Sequence, residues 1–431
     1  MPRLGAQSMR NEPLNNCLKA IPDTVDRVLL AFSGGLDSCV LLHLLAAHNS
    51  RNFELKLWHI NHGLQQQANE MESFCVQLAN RYKIDIKISH LNLGPLESNV
   101  EARARNARYA LFEDYLSDKD CLLTAHHADD QAETLMLNIL RGSGTAGLRG
   151  IAKSRVIARA RLIRPLLDIS RETLLEYAIT NQLNWFDDPS NATERFDRNY
   201  LRHQVMPLIK NRWPAYLESM RNVCAIQDET QQVLDELAQL DYAQARDCNY
   251  WYNQNSKTIL NIPKLLGLSR ARQKNLIRYW LRTNGCPILP RARLEVLTEL
   301  LNARQDAAPV IQSCDYDIRI YAGCLFIVDP NQGLMPKASY DFDCHTQVHI
   351  DELNLALRRC QVLKHFDETD NGQLLTIKFR SETNAASQYS HRLKRLFQKY
   401  KIPPWQRAYV PQVYLDDNLT GLWVPDSRGF D

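Results

Sequence analysis

Residues 33–38 read Ser-Gly-Gly-Leu-Asp-Ser, and these residue types in this position suit the binding of a nucleotide phosphate. The apolar run 28–32 precedes the motif and the apolar run 39–47 follows it, so the motif joins a predicted strand to a predicted helix. Gly34 and Gly35 can adopt positive φ angles and let an anion approach the backbone closely. The N–H groups at the helix start point at such an anion. The segment therefore predicts a phosphate-binding loop.

The side chains of the loop refine this prediction. Asp37 cannot donate to a phosphate, so its natural role is to hold Mg²⁺ against the phosphates, while Ser33 and Ser38 add hydroxyl donors. The loop lacks the lysine of the Walker A motif. The pattern SGGxDS instead resembles that of PP-loop ATPases, which cleave ATP between the α- and β-phosphates. We expect ATP contacts from the loop and from two later histidines: Ser33, Gly34, Gly35, Leu36, Asp37, Ser38, His59 and His62.

The two histidines lie at the end of the next predicted strand, residues 55–61, in the sequence LWHINHGLQ. Because the carboxyl ends of parallel strands meet at one edge of a sheet, His59 and His62 are expected beside the phosphate loop. A role as hydrogen-bonded loop residues is the simpler alternative for each, and their spacing is weak evidence for a metal site.

A second polar cluster follows another apolar strand, in the segment CLLTAHHADDQAET at 121–134. Acidic residues at a helix start are stabilised by the helix dipole, which alone would explain them. At the same sheet edge as Asp37, however, a second carboxylate would complete a Mg²⁺ site or position an amine nucleophile. We predict Asp37, His127 and Asp130 as catalytic residues and Asp37 with Asp129 as metal ligands.

Arginine pairs at helical spacing are the candidate phosphate contacts. Arg105 and Arg108 share a helix face, although an i, i+4 salt bridge from Glu101 to Arg105 is an alternative reason for that pattern. Arg198 and Arg202 are also four residues apart on a predicted helix, so both point the same way. Contact with phosphate or RNA and docking of the next domain are both open for this second pair.

The formal net charge of +3 hides a segregated distribution. Residues 270–304 carry a net +6 and residues 378–407 a net +7, whereas residues 329–377 between them carry −4. Two basic modules of this size indicate a polyanionic partner, although solvated helix faces are the alternative. The candidate contacts in the second basic segment are Arg392, Lys394 and Arg395.

The elements that must position these residues alternate over the first 190 residues. Predicted strands cover 28–32, 55–61, 84–90 and 121–125, and predicted helices cover 38–48, 66–82, 100–116 and 129–140. This alternation predicts an α/β fold with a doubly wound parallel sheet and helices on both faces. A later pair of segments, 156–167 and 170–182, is expected to close the domain.

The pattern changes from about residue 212, where a long amphipathic helix over 215–245 and a helical module over 263–304 precede an alternating segment at 308–328. Pro330, Gly333 and Pro336 mark a linker. We predict three domains: a catalytic ATP-binding domain at 1–211, a mostly helical domain at 212–330 and a small α+β domain at 347–431, the last two as binding domains for a polyanionic substrate.

Composition narrows the class of protein. An apolar fraction of 45% and a charged fraction of 23% are typical of globular proteins, and the sequence has neither a membrane-length apolar run nor a signal-peptide core near its start. We therefore expect a cytoplasmic protein. The eleven cysteines include no C-x-x-C pair, which argues against zinc ribbons and disulfide frameworks. Cys39 and Cys121 are expected in the core.

Taken in order, these segments resemble the tRNA(Ile)-lysidine synthase family. The shared segments are SGGLDS, NHGL at 61–64, EARARNARY at 101–109, TAHHADDQAET at 124–134, LRGSGTAGLRG at 140–150, RPLL at 164–167 and DPSN…RNYLRH at 188–203. The segment LFQKYKIPPWQRAYVPQVY at 396–414 resembles the last domain of the family. One departure is Gln65, where many members have arginine after His-Gly-Leu.

The resemblance implies an adenine nucleotide α-hydrolase-like fold and an ATP-dependent, carbon–nitrogen bond-forming ligase. ATP adenylates the C2 carbonyl oxygen of the wobble cytidine in the CAU-anticodon tRNA(Ile), and the ε-amine of L-lysine then displaces AMP to give lysidine. Codon reading changes from AUG to AUA and identity from methionine to isoleucine. Mg²⁺ is implied, Asp130 is the candidate for binding the lysine ammonium group, and the oligomeric state, monomer or homodimer, is open. The implied tRNA contacts are Arg105, Arg108, Arg198, Arg202, Arg392, Lys394 and Arg395.

Three alternatives are weaker. A tRNA thiolase of the PP-loop class uses paired cysteines or a metal site, and the sequence has no C-x-x-C. A small-molecule amide or amidine ligase, of the GMP-synthetase or argininosuccinate-synthetase kind, has no need of two basic C-terminal modules. A non-catalytic, nucleotide-sensing RNA-binding protein would have no need of Asp37, Asp129 and Asp130.

Overall fold

The computed structural model describes residues 14, 17–47, 53–61, 67–91, 100–187, 197–246, 256–301, 309–330, 337, 339–342, 347–353, 355–358, 362, 374–379 and 389–423. The chain forms two compact units, Met1–Gln232 and Val233–Asp431. The division into three domains stays a prediction.

The first unit is built on a six-stranded sheet in the order β3-β2-β1-β4-β6-β5. Its strands are β1 (Arg27–Ala31), β2 (Glu54–Asn61), β3 (Asp85–His90), β4 (Asp120–Leu123), β5 (Ser154–Ile157) and β6 (Ala160–Ile163). All neighbouring strands pair in parallel except β5 with β6. Strands β2 and β4 flank β1 on opposite sides, so the chain reverses direction across the sheet there, and ligands bind at the carboxyl ends of such switch points.

Helices cover both faces of this sheet. They are α1 (Leu36–Ala47), α2 (Ala68–Tyr82), α3 (Val100–Tyr115), α4 (Ala128–Leu140), α5 (Thr145–Leu148), α6 (Arg171–Thr180), α7 (Asp197–Tyr200) and α8 (Met206–Arg212). Alternate residues of β1 face opposite sides: Val28 and Leu30 pack in the core formed with α1, α2 and α6, whereas Leu29 packs in the core formed with α3. The predicted α/β fold with a doubly wound, mainly parallel sheet is confirmed.

The region after β4 differs from the simple alternation. The predicted segment 156–167 covers the end of β5, the whole of β6 and the residues that follow. Strands β5 and β6 form a hairpin whose turn is Ala158 and Arg159. Because a two-residue turn cannot carry a parallel crossover, β5 runs antiparallel at the sheet edge, with Ala158 at a φ of 49°. Cys39 and Cys121 are buried in the core, as predicted.

The long helix α9 (Tyr216–Ala245) begins in the first unit and ends in the second, which confirms the predicted helix over 215–245. The second unit continues with helices α10 (Ile262–Leu266), α11 (Arg270–Thr283), α12 (Arg291–Leu300) and α13 (Ser390–Lys399). Its strands are β7 (Ile259–Asn261), β8 (Val310–Gln312), β9 (Asp317–Tyr321), β10 (Cys324–Val328), β11 (Ser339–Phe342), β12 (Gln347–Ile350), β13 (Leu355–Arg358), β14 (Leu375–Lys378), β15 (Gln412–Leu415) and β16 (Asn418–Leu422).

These strands form two antiparallel four-stranded sheets, β7-β10-β9-β8 and β11-β14-β15-β16, and a β12–β13 pair. Trp280 is buried among the residues that α11 and α12 pack against the first of these sheets, and Phe397 of α13 is buried near the second. In the described part of the chain, none of the helices combines the length and apolarity that a membrane crossing requires.

Candidate active site

The SGGLDS loop connects β1 to α1 and is shaped around Gly34. Gly34 has a φ of +79°, and a Cβ built there would lie 2.8 Å from Sγ of Cys75, so both the backbone angle and the space favour glycine. The expectation of a positive φ does not extend to Gly35, whose Cβ would meet only the Ser33 Oγ at 3.6 Å. The absence of a Cβ at Gly35 leaves the backbone before α1 open to a ligand.

Side chains of the loop itself and of the neighbouring strand β2 hold this backbone in place. The hydroxyls of Ser33 and Ser38 lie 3.1 Å apart, and Ser38 Oγ donates to the carbonyl of Gly35 at 2.9 Å. His59 is buried and donates from Nδ1 to the Phe32 carbonyl at 2.9 Å, and burial lowers its pKa, so the ring is neutral at pH 7. His59 thus supports the strand that leads into the loop, and its ATP contact stays a prediction. His62 lies outside the described residues.

His127 forms the centre of an acidic cluster beside this loop. Its Nε2 lies 3.6 Å from Asp37 Oδ2 and 3.5 Å from Asp130 Oδ2, and its Nδ1 lies 3.6 Å from Asp129 Oδ2. Burial lowers the pKa of His127, but the three carboxylates outweigh burial and the pKa is raised above its usual value. The structure therefore brings together the four residues that the sequence predicted as catalytic or metal-binding.

Asp37 carries the open oxygen of the cluster. Its Oδ1 is buried and has no hydrogen-bond partner among the described residues. Burial raises the pKa of Asp37 and the nearby charge of Asp130 adds to this, so the pKa remains raised even though His127 lowers it. A buried carboxylate oxygen without a donor is costly unless a cation or donor reaches it.

Asp129 is held from two sides. Its Oδ2 accepts from the backbone N–H of Arg171 at 2.8 Å, and its Oδ1 lies 3.5 Å from the hydroxyl of Tyr216. Burial raises the pKa of Asp129, but His127 and the Arg171 N–H outweigh it, so the pKa is lowered and the carboxylate stays charged. Burial and the Asp129 charge raise the pKa of Tyr216 to about 12, which keeps its hydroxyl protonated.

No group of three His, Cys, Asp or Glu side chains in the described part of the chain has the geometry of a complete metal site. Mg²⁺ does not require one, because it is commonly bound by one or two carboxylates together with waters and substrate phosphates. The open Oδ1 of Asp37 and the charged Asp129 fit that mode of binding.

Asp130 is engaged on both oxygens. Its Oδ2 accepts from the backbone N–H of His127 at 3.0 Å, and its Oδ1 accepts from Arg198 at 2.7 Å and Arg202 at 3.3 Å. Burial raises its pKa, but His127 and Arg198 outweigh it, so the pKa is lowered. These contacts favour a positioning role for Asp130, and its predicted contact with lysine stays a prediction.

Glu133 completes this ion-pair network one helical turn further along α4. It is buried, and it accepts from Arg198 Nε at 2.7 Å and from Arg202 Nε at 2.6 Å. A π-helical segment, Leu201–Val205, follows α7, and both arginines point the same way, as their spacing predicted. Their guanidinium groups bind carboxylates of α4 in the same unit. Contact with phosphate or RNA and docking of the next domain both stay predictions.

Sequence reasoning missed Glu133, Tyr216 and Arg171 as members of the site. The position of Glu133, three residues after Asp130 on the same helix face, was a signal that could have identified it. Tyr216 and the Arg171 backbone carry no such signal, because only the packing of α6 and α9 brings them to Asp129. The DPSN segment at 188–191 lies outside the described residues.

The remaining predicted contacts lie in two other places. Arg105 and Arg108 project from α3 toward Tyr109, and their Cζ atoms lie 5.7 and 5.9 Å from its ring centre. On α13, Arg392, Lys394 and Arg395 are exposed while Leu393 and Phe397 are buried, so the helix presents a basic face. Arg392 also donates to the Thr420 carbonyl.

The first basic segment is largely paired internally. Arg270 binds Glu295 and Glu299, Lys274 binds Glu295, Arg272 binds Asp241, and Arg282 binds Asp235 at 2.6 Å. Four of its seven described cations therefore have acidic partners, which reduces the charge that this segment offers to a polyanion. The three guanidinium groups of Arg278, Arg291 and Arg293 keep it basic.

Three family models match the chain: a PP-loop domain at residues 7–209, a TilS substrate binding domain at 260–326 and a TilS substrate C-terminal domain at 375–429. A tRNA(Ile)-lysidine synthase from Coxiella burnetii is 36% identical over 91% of this chain and 87% of its own length. A tRNA(Ile)-lysidine synthase from Alkalilimnicola ehrlichii is 37% identical over 89% of this chain and 86% of its own length. Among solved structures, U34-tRNA thiolase NcsA from Methanococcus maripaludis aligns with 52% of this chain and with 78% of its own chain. The TM-score of this alignment is 0.44 and the sequence identity is 18%.

Proposed function

This chain belongs to the tRNA(Ile)-lysidine synthase family, and we propose that the cluster of Asp37, His127, Asp129 and Asp130 is its catalytic centre. The protein is an ATP-using ligase that modifies tRNA. Its reaction, in the form we propose, joins L-lysine to C2 of the wobble cytidine in tRNA(Ile) with a CAU anticodon, in the cytoplasm. ATP is converted to AMP and pyrophosphate.

In the first step, the C2 carbonyl oxygen of the cytidine attacks the α-phosphorus of ATP and pyrophosphate leaves. The loop at 33–38 binds the phosphates through the open backbone at Gly35 and the start of α1, where N–H groups and the helix dipole favour an anion. Negative charge that develops on the phosphate oxygens is stabilised by donors fixed beforehand, and the hydrogen bonds among Ser33, Gly35 and Ser38 provide that rigidity.

Asp37 and Asp129 are the residues that would hold Mg²⁺, which when bound supplies charge neutralisation for the phosphates. The support for this assignment is the open, buried Oδ1 of Asp37 together with the charged carboxylate of Asp129. His127 lies between the two carboxylates and fixes their separation.

In the second step, the ε-amine of lysine attacks C2, the bond from C2 to the adenylated oxygen breaks, and AMP leaves with that oxygen. The amine must arrive without its third proton, and an acidic cluster can bind the ammonium form and order it. Asp130 contributes to this by its charge and by orienting His127, since its two oxygens already accept hydrogen bonds.

The wobble base must leave the anticodon stack to reach this site, and anticodon loops offer bases that are already splayed. The basic face of α13, with Arg392, Lys394 and Arg395, is the contact that we propose for the tRNA backbone in the second unit. Phosphate contacts require no base recognition, so this face contributes affinity and orientation.

The observation that carries the proposal is the meeting of the phosphate loop and the acidic cluster at the switch point between β1 and β4, with one carboxylate oxygen left open. The test is incorporation of labelled lysine into unmodified tRNA(Ile) with a CAU anticodon, in the presence of ATP and Mg²⁺, with a methionine tRNA as control. We expect incorporation into the first tRNA alone. ATP turnover to AMP stimulated by another RNA, without lysine incorporation, would refute lysidine formation and retain the PP-loop chemistry.

The variant Asp37→Ala tests the centre. We expect loss of pyrophosphate release with an unchanged Kd for tRNA, because Asp37 belongs to the loop that we propose to bind the phosphates of ATP. The opposite pattern, weak tRNA binding with normal pyrophosphate release, would overturn the assignment of Asp37.

A further inference from the structure

Four arginines converge on one tyrosine in the first unit. Tyr109 lies on α3, and Arg155 of β5 places its Cζ 4.4 Å from the Tyr109 ring centre. Arg105 and Arg108 approach the same ring from α3 at 5.7 and 5.9 Å. Arg164, the residue after β6, interacts with Tyr109 as well. Burial raises the pKa of Tyr109, but these guanidinium groups outweigh it and the pKa is lowered, so all four act on this tyrosine.

The cluster holds positive charge that no described side chain neutralises. Among the side chains that the structure describes, no carboxylate forms an ion pair with Arg105, Arg108, Arg155 or Arg164, whereas Arg198 and Arg202 nearby are fully paired. Cation–π contacts with Tyr109 offset part of the repulsion but add no negative charge. Guanidinium groups gathered in this way are suited to bind phosphate oxygens through paired N–H donors.

Arg164 adds a second, independent observation. Its side chain is 5% exposed, and within the described part of the chain its Nε has no hydrogen-bond partner. One of its terminal nitrogens donates to the Ala152 carbonyl, which fixes the side chain without neutralising it. A buried guanidinium with an unused N–H is a donor held ready for an anion.

The cluster lies at the edge of the sheet that carries the catalytic centre. Strands β4 and β6 pair in parallel with Leu123 beside Ile163, so Arg164 follows β6 where Thr124 follows β4. His126, next to His127, is under the electrostatic influence of Arg164 and Arg108 as well as of Asp130. In parallel α/β units a helix starts at the carboxyl edge. Arg105 lies in the first half of α3, and Arg108 lies at its middle, one turn further along.

We propose that Arg105, Arg108, Arg155 and Arg164 form a phosphate-binding site that holds a phosphate group of a substrate beside the catalytic centre. Arg155 and Arg164 are new members of the site, and Tyr109 is the ring that the guanidinium groups of Arg105, Arg108 and Arg155 approach. The phosphate comes either from the RNA backbone near the target cytidine or from the pyrophosphate part of ATP, since both present the same oxygens. The proposal rests on the proposed function for the identity of these two substrates.

The test compares Arg155→Ala with Arg159→Ala. Both arginines are exposed and lie on the same hairpin, but Arg159 is in the turn, at the opposite edge of the sheet. Each variant therefore removes one positive charge, and only Arg155→Ala removes it from the arginine cluster. Two binding measurements are made on the full chain. The first is the Kd for unmodified tRNA(Ile) transcript, without ATP or lysine, over a range of salt concentrations. The second is inhibition of ATP binding by inorganic pyrophosphate.

If the site holds an RNA phosphate, Arg155→Ala weakens tRNA binding about fivefold and lowers the slope of log Kd against log salt by about 1, with unchanged pyrophosphate inhibition. If the site holds the pyrophosphate part of ATP, the inhibition weakens and the slope is unchanged. If Arg155→Ala matches Arg159→Ala in both measurements, the proposal is overturned.

Failure of the proposed function would look different. A wild-type protein that incorporates lysine while the two variants bind alike overturns the phosphate site alone. A wild-type protein that incorporates no lysine, while Arg155→Ala still lowers the salt slope, overturns lysidine formation and supports the phosphate site.

Discussion

Glu133 is the residue whose replacement tests the architecture of the site most directly. It is buried at 1% exposure and accepts hydrogen bonds from both Arg198 and Arg202, which also bind Asp130. The variant Glu133→Gln keeps the shape of the side chain and removes its charge, so both guanidinium groups lose their main partner. Since Asp130 also contacts His127, the loss extends to the cluster that we propose as the catalytic centre.

The magnitude follows from burial. Removing one partner of a buried ion pair costs about 3–5 kcal/mol, and the lower end applies because the side chains of Arg198 and Arg202 are 27% and 28% exposed. Since about 1 kcal/mol shifts the melting temperature of a domain of this size by about 2–4 °C, a loss of about 3 kcal/mol lowers Tm by about 6–12 °C. The measurement is thermal unfolding followed by circular dichroism, together with pyrophosphate release below the transition.

Glu172→Gln is the matched control, because it makes the same change at a side chain that is 66% exposed and pairs with Lys210 at 2.9 Å. An exposed pair contributes about 0–1 kcal/mol, so the Tm of this variant should fall by less than about 4 °C. If the two variants melt at the same temperature, the buried network does not stabilise this unit and the reasoning from burial is refuted.

Three further predictions concern the loop, the histidine and the basic helix. Gly34→Ala should abolish measurable ATP binding and lower Tm, because the positive φ and a contact below 3 Å both disfavour a Cβ at this position. Gly35→Ala is the control and should leave Tm unchanged, so equal Tm values for the two variants would contradict the loop geometry. His127→Gln should lower the free energy of unfolding most below pH 6.5, because a group whose pKa is raised in the folded state stabilises the fold in its protonated form. The difference in unfolding free energy from wild type should shrink as the pH rises through the raised pKa of His127, and a difference that grows with pH would contradict this prediction. Lys394→Ala combined with Arg395→Ala should lower the salt slope of tRNA binding by about 2 with no change in Tm, and an unchanged slope would remove α13 from the RNA-binding surface.

The amino-acid sequence alone determined which residues form the candidate site and the edge of the sheet on which it lies. Asp37, His127 and Asp129 each follow a predicted strand, and the alternation of strands and helices requires a mainly parallel sheet. Because the carboxyl ends of parallel strands share one edge, residues that are 90 positions apart had to meet. Local pattern was sufficient here because the signal is periodic and short-range.

Only the tertiary structure decided which partners these residues take. Arg198 and Arg202 have the spacing of a phosphate-binding pair, yet they bind Glu133 and Asp130, because α7 and α4 pack side by side. Arg155 and Arg164 were not among the predicted contacts, although Arg164 begins the RPLL segment, and the β5–β6 hairpin brings them to Tyr109. A guanidinium group binds any carboxylate or phosphate within reach. The residue type therefore determines what an arginine can bind, and only the packing of distant segments determines which of these groups lies close to it.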